Sequence, residues 1–213
     1  MAKIHFDWEA ELEKELGSLP GEKSHIEMIP FRLAGSSYKS NYMNAKLSAV
    51  MCLFYIKNDE LFGVLMERTE DGGKHSGQVS FPGGKKDTID FNLKETALRE
   101  TFEEIGIYRD SIKILGELTE VYIPVSNFLV KPYLGIIDSE VEMKLSKNEV
   151  KAIFNFSINE LLNSKNKKLR TIKNHKEVKM KNIPCFILND RIVWGATALI
   201  LNEIKYILQK VFK

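Results

Sequence analysis

The longest nearly apolar run, Leu47 to Ile56, sets the first limit on the fold. A membrane-spanning helix needs about 20 such residues, roughly twice what this run offers, so the run is a buried strand. A second strand-like run, Leu61 to Arg68, follows after Lys57-Asn58-Asp59-Glu60, which predicts a hairpin. Ahead of it, Met1 to Leu16 alternates charged and apolar residues and lacks the apolar stretch of a signal peptide. Only Cys52 and Cys185 are present, in no CxxC pattern, so neither a disulfide framework nor a zinc site is indicated. These features predict a soluble, cytoplasmic protein with no membrane partner.

The remaining elements mix without a regular βαβ rhythm. Phe6 to Leu16 reads as a short amphipathic helix, stopped by Gly17, Pro20 and Gly21. Residues 22–46 are polar and turn-rich. Strand-like segments recur at Gln78 to Phe81, Ile112 to Ile123, Phe128 to Ile137 and Val150 to Phe156. Asn159 to Leu162 suggests a short helix, residues 167–188 a hairpin, and Thr197 to Phe212 a closing amphipathic helix. Its Ile200, Ile204, Ile207, Leu208 and Val211 serve either as core packing or as a dimer face, which leaves a homodimer open. The expected class is α+β, an α/β/α sandwich. Residues 1–46 form a helix and arm packed on a domain of residues 47–213, a reasonable size for one core in a 213-residue chain.

The clearest helix runs from Asn92, with Glu95 three residues later in a capping-box pattern, to about Ile105. Gly106 stands where a left-handed stop is expected. At 100° per residue, Leu98, Thr101, Phe102 and Ile105 share one side, while Glu100, Glu103 and Glu104 stack on the other. Three crowded carboxylates near a helix C-terminus repel one another and the macrodipole, so helix stability does not ask for them. A hard divalent cation relieves the repulsion. Arg99, four residues before Glu103, is placed to hold the rotamers. Taken alone, the pattern is also that of a solvated acidic face.

The residues before it change the balance. Gly84 to Ile107, with Arg99-Glu100-Thr101-Phe102-Glu103-Glu104-Ile105-Gly106-Ile107, resembles the signature of the Nudix hydrolases. It departs in the loop: 14 residues separate Gly84 from Arg99, one more than the family pattern has. No Glu stands there either, Asp87 and Asp90 being the nearest acids. Upstream, Leu65-Met66-Glu67-Arg68-Thr69 and Gly77-Gln78-Val79-Ser80-Phe81-Pro82-Gly83-Gly84 are similar to the coenzyme A pyrophosphatase branch. So are Ile123-Pro124-Val125-Ser126, Glu149-Val150 and Val193-Trp194-Gly195-Ala196-Thr197.

The resemblance implies a mixed sheet between helices and a Mg²⁺- or Mn²⁺-dependent hydrolysis of a nucleoside diphosphate linked to another group. Within the branch, coenzyme A or acyl-CoA yields 3′,5′-ADP and a 4′-phosphopantetheine fragment. By position, Glu100, Glu103 and Glu104 are the expected metal ligands, with Glu103 as ligand or base and Arg99 supporting them. Glu149 and Glu142 are alternative bases on a later loop. Gly83, Gly84, Gln78 and Arg68 are the expected substrate contacts, Arg68 being equally a surface strand residue, with one of the motif glutamates as its alternative partner. His75 lies close by in sequence, whereas His175 reads as a turn residue, and Trp194 and Phe186 read as core. ADP-ribose, a dinucleoside polyphosphate, an oxidised nucleotide or a non-catalytic nucleotide sensor are the alternatives. The 31 Lys and Arg against 29 Asp and Glu exclude a dedicated nucleic-acid coat. The eight basic residues of Lys165 to Lys181 form an exposed solubilising hairpin, or else a hold for the 3′-phosphate of CoA or for an RNA backbone.

Overall fold

The computed structural model describes residues 8–29, 44–70, 72–137, 141–173 and 177–212. The apolar run becomes β1 (Lys46–Lys57), joined to β2 (Glu60–Arg68) by a two-residue turn. Asn58 and Asp59 both adopt positive φ, 52° and 59°, the turn geometry that matches strand twist in tight hairpins. β3 (Val79–Ser80) and β4 (Gly83–Lys85) pair with β2 and β1.

Side-chain alternation along β1 fixes the layers. Ala49, Met51, Leu53 and Tyr55 face one buried cluster, with Ala97, Leu98 and Ile105 of α3 (Leu93–Ile105). Cys52 and Phe54 face the other, with residues of α1 (Trp8–Leu16), α4 (Ile158–Leu162) and α5 (Gly195–Val211). β5 (Lys113–Glu117), β6 (Val121–Ile123), β7 (Phe128–Ile137) and β8 (Val150–Ser157) complete the main sheet. β1 and β7 run parallel while its other pairs are antiparallel, so the sheet is mixed. β9 (Lys167–Lys173), β10 (Lys179–Leu188) and β11 (Arg191–Trp194) make a second, three-stranded sheet. The fold is therefore the expected α+β arrangement, a mixed sheet with helices on both faces.

After α1 the arm continues as α2 (Glu22–His25) and a 3-10 turn over Ile26–Met28; residues 30–43, most of the rest of the expected arm, lie outside the described residues. Ile112 to Ile123 is two strands, not one. Leu118 N–H donates to Pro132 O, and Thr119 N–H and Oγ1 donate to the buried Glu203 of α5, which turns the chain out of β5. The apolar stripe of α5 is buried against the core of its own chain. Among the described residues no helix is long and apolar enough to cross a membrane.

Candidate functional site

α3 begins as the sequence predicts. Asn92 Oδ1 accepts from Glu95 N–H, and Gly106 closes the helix at φ 74°, ψ 16°. The capping box is incomplete, because the Glu95 carboxylate instead takes two donors from Arg109. Phe102 does not join the apolar side: it is 44% exposed and packs on Tyr108, ring centroids 4.8 Å apart. Glu104 goes inward in its place and is 1% exposed.

That exchange brings Glu104 against the glycine strand. β4 pairs Gly83 with Val50 and Gly84 with Ala49. Gly83 has φ 149°, and a Cβ there would lie 2.3 Å from Ala49 O, so the position is closed to other residues. Its N–H donates to Glu104 Oε2 at 2.7 Å, while Arg68 Nη1 reaches Glu104 Oε1 at 3.3 Å. A Cβ on Gly84 would lie 2.4 Å from the Glu100 carboxyl carbon, so the glycine leaves the space that Glu100 fills.

Arg99 ties the cluster together. Its Nη1 donates to Glu100 Oε1 and Glu103 Oε2, both at 2.9 Å. Its Nε and Nη2 form a two-point pair with Asp90, again at 2.9 Å, and Nη2 also reaches Lys85 O. Asp90 in turn accepts from Thr96 Oγ1 and Asp87 N–H. Asp90 thus occupies the place where the loop lacks a glutamate. The Arg99 guanidinium outweighs the burial of Asp90 and holds its carboxyl well below the usual range. The spacing of Asp90, in the loop between Gly84 and Arg99, was the available signal for this role.

Burial pushes the Glu104 carboxyl up to about 8; the Gly83 N–H and Arg68 oppose this, and the charges of Glu100 and Glu149 add to it. Burial raises Glu100 as well, against the pull of Arg99. Glu149 therefore acts on the cluster by its charge although its side chain is exposed. Its loop is pinned to the end of α3, with Lys144 N–H on Ile105 O and Ser146 N–H on Glu104 O. Glu142 is exposed in the same segment.

A cavity of about 850 Å³ opens beside these residues, bordered at its polar end by Arg68, Gly83, Gly84 and Lys85. His75 and Gln78 lie on its rim, hydrogen-bonded to each other at 3.2 Å, with the other His75 nitrogen 3.0 Å from Ser126 Oγ. Trp194, expected in the core, is half-buried on the cavity wall, because it ends β11 and caps α5 at the cavity's edge. Phe186 is fully buried, as expected. In the basic hairpin, Lys173 pairs with Glu177 and Lys167 with Glu27, and His175 lies outside the described residues.

Among the described residues no three His, Cys, Asp or Glu side chains already form a metal cage. The donor set nevertheless fits a hard cation. Two desolvated carboxylates with raised affinity for protons face a glycine backbone, and oxygen donors of this kind suit Mg²⁺ or Mn²⁺.

Carboxylates gathered beneath a closely approaching backbone, with arginines beside them, suit a divalent cation and a phosphoric anhydride. The comparisons agree. A model of the NUDIX domain matches residues 45–177. A protein called "Uncharacterized Nudix hydrolase NudL" from Enterobacter sp. (strain 638) is 33% identical over 132 residues, 62% of this chain and 68% of its own. Its namesake from Cronobacter sakazakii is 30% identical over 174 residues, 82% and 88% of the two chains. A MutT/nudix family protein from Enterococcus faecalis shares the fold, with a TM-score of 0.51 at 16% identity, over 88% of this chain and 73% of that one. The chain belongs to the Nudix family. It is a pyrophosphohydrolase acting on a nucleoside diphosphate linked to another group.

Proposed function

We propose that the enzyme hydrolyses the pyrophosphate of coenzyme A or an acyl-CoA, releasing 3′,5′-ADP and a 4′-phosphopantetheine fragment in the cytoplasm. One observation carries the reading. The Gln78 to Gly84 stretch, which resembles the coenzyme A pyrophosphatase branch, borders the same cavity as Arg68 and meets the glutamates of α3.

In this reading Glu100 and Glu104 are ligands for Mg²⁺ or Mn²⁺, with Glu103 as a third. A cation there supplies positive charge against the pyrophosphate oxygens and makes a nearby water more acidic. The chain's own residues do the rest. Arg99 holds Glu100 and Glu103 in register, and Gly83 and Gly84 allow the phosphates to approach the backbone. Arg68 is a planar donor for phosphate once Glu104 has a stronger partner. Glu103 or the nearby Glu149 accepts the proton of the attacking water. Gln78 contacts the substrate at the rim. The described part of the arm, residues 8–29, supports the domain of residues 47–213.

Incubation with CoA and Mg²⁺, followed by product identification, tests the proposal. The expected products are 3′,5′-ADP and 4′-phosphopantetheine. Cleavage of ADP-ribose far faster than CoA would reject coenzyme A as the substrate.

A further inference from the structure

The apolar stripe of α5 is taken up by the core of its own chain, but the outer side of α3 stands open. In the loop that leads into α3, Ile89 and Phe91 are 78% and 91% exposed. Glu95 and Phe102 follow on the helix, seven residues apart and so about 20° from one another round its axis. The segment after the helix lies against them. Its Tyr108, 67% exposed, packs on Phe102, and both terminal guanidinium nitrogens of Arg109 donate to the Glu95 carboxylate. Single apolar side chains on a surface are ordinary. Four along one helix and its flanking segments, with an arginine among them, have the make-up of a contact surface.

Charge decides what fits it. Within the patch Glu95 is balanced by Arg109, which gives little pull on an anionic lipid surface. The patch is instead complementary to itself. Two rows cross it, Glu95 to Arg109 and Phe102 to Tyr108, and each joins α3 to the segment that follows. A two-fold axis lying along α3, midway between helix and segment, exchanges the partners. Glu95 then meets Arg109 of a second copy, and Phe102 meets Tyr108 of that copy. We infer that this face of α3 binds a second copy of the chain, with Ile89 and Phe91 closing the contact at one end. Asp90 stands between those two residues and holds Arg99, so the same contact buttresses the loop beside the glutamate cluster. The inference does not depend on which nucleotide-linked pyrophosphate is cleaved.

Sedimentation velocity from about 1 to about 100 µM tests it; the expected result is a reversible dimer with a Kd in the micromolar range, as suits a small patch. Phe91→Ser, Arg109→Glu and Glu95→Arg should each weaken association by about tenfold or more, at unchanged circular dichroism. Arg109→Glu chains mixed with Glu95→Arg chains regain opposite charges across the axis. The mixture should therefore associate more tightly than either variant does with itself. A chain that stays monomeric throughout, a dimer indifferent to all three variants, or a mixture no tighter than its parts overturns the inference. So does monomeric protein that sediments with anionic vesicles and loses this in Phe91→Ser, which would assign the patch to a lipid surface.

Discussion

Gly83 and Gly84 stand side by side and do different work, which makes them a sensitive pair at the residue scale. At Gly83 an added Cβ meets the backbone of β1, 2.3 Å from Ala49 O. Gly83→Ala should therefore strain the sheet and lower the thermal midpoint, by roughly 4–12 °C for a strain of about 2–3 kcal/mol. At Gly84 the atoms nearest the added Cβ belong to the end of the Glu100 side chain. Gly84→Ala should keep the midpoint within a few degrees while activity falls by at least tenfold, as melting curves and rates together would reveal. Glu104 gives a pH signature. Its carboxyl is raised from 4.5 to about 8, so between those values the folded chain holds a proton that the unfolded chain has lost. Without divalent cation, stability should fall as pH rises from 4.5 towards 8, and Glu104→Gln should flatten that slope in urea titrations.

At the scale of elements, α3 depends on a loop that holds its arginine. Asp90→Asn removes the charge that fixes Arg99, and turnover should drop about tenfold or more with little change in KM. A two-point arginine pair is not reproduced by an amide. Unchanged turnover in Asp90→Asn would remove Asp90 from that role. Much of α3 was legible in the sequence because its ends are local: Asn92 caps the first turn and Gly106 supplies the left-handed stop. The orientation of Phe102 was not, because helical spacing alone does not distinguish a ring that packs inward from one that rests on Tyr108 at the surface. The same holds for the inward turn of Glu104, which follows from the Gly83 N–H and Arg68, both distant in sequence. The break between β5 and β6 likewise comes from a carboxylate 84 residues away, Glu203, and no local pattern announces it.

On the scale of the whole molecule, Glu203 joins three parts of the chain. It is fully buried and accepts from Gly21 N–H, Thr119 N–H and Thr119 Oγ1, with His25 Nε2 at 3.5 Å. Burial pushes its carboxyl up, but the neighbouring His25 and the hydrogen bonds from Thr119 outweigh this and hold it below its ordinary 4.5. Its contribution to stability is therefore present above pH 4.5 and lost as pH falls below it. Glu203→Ala strands buried donors and should destabilise the fold by about 3 kcal/mol, lowering the thermal midpoint by roughly 6–12 °C. The arm and α5 also supply the far wall of the cavity, through Met28, Ile29, Leu199 and Ile200. All these layers hold one cluster in position, the proposed grip of Glu100, Glu103 and Glu104 on a divalent cation. Calorimetric titration of Mn²⁺ into the protein and into Glu100→Gln and Glu104→Gln, at neutral pH and in buffers of differing ionisation heat, tests it most directly. Uptake by the unaltered protein with release of a proton is expected, with at least tenfold weaker uptake in both variants at unchanged circular dichroism. Equal Mn²⁺ affinity in all three proteins would contradict it.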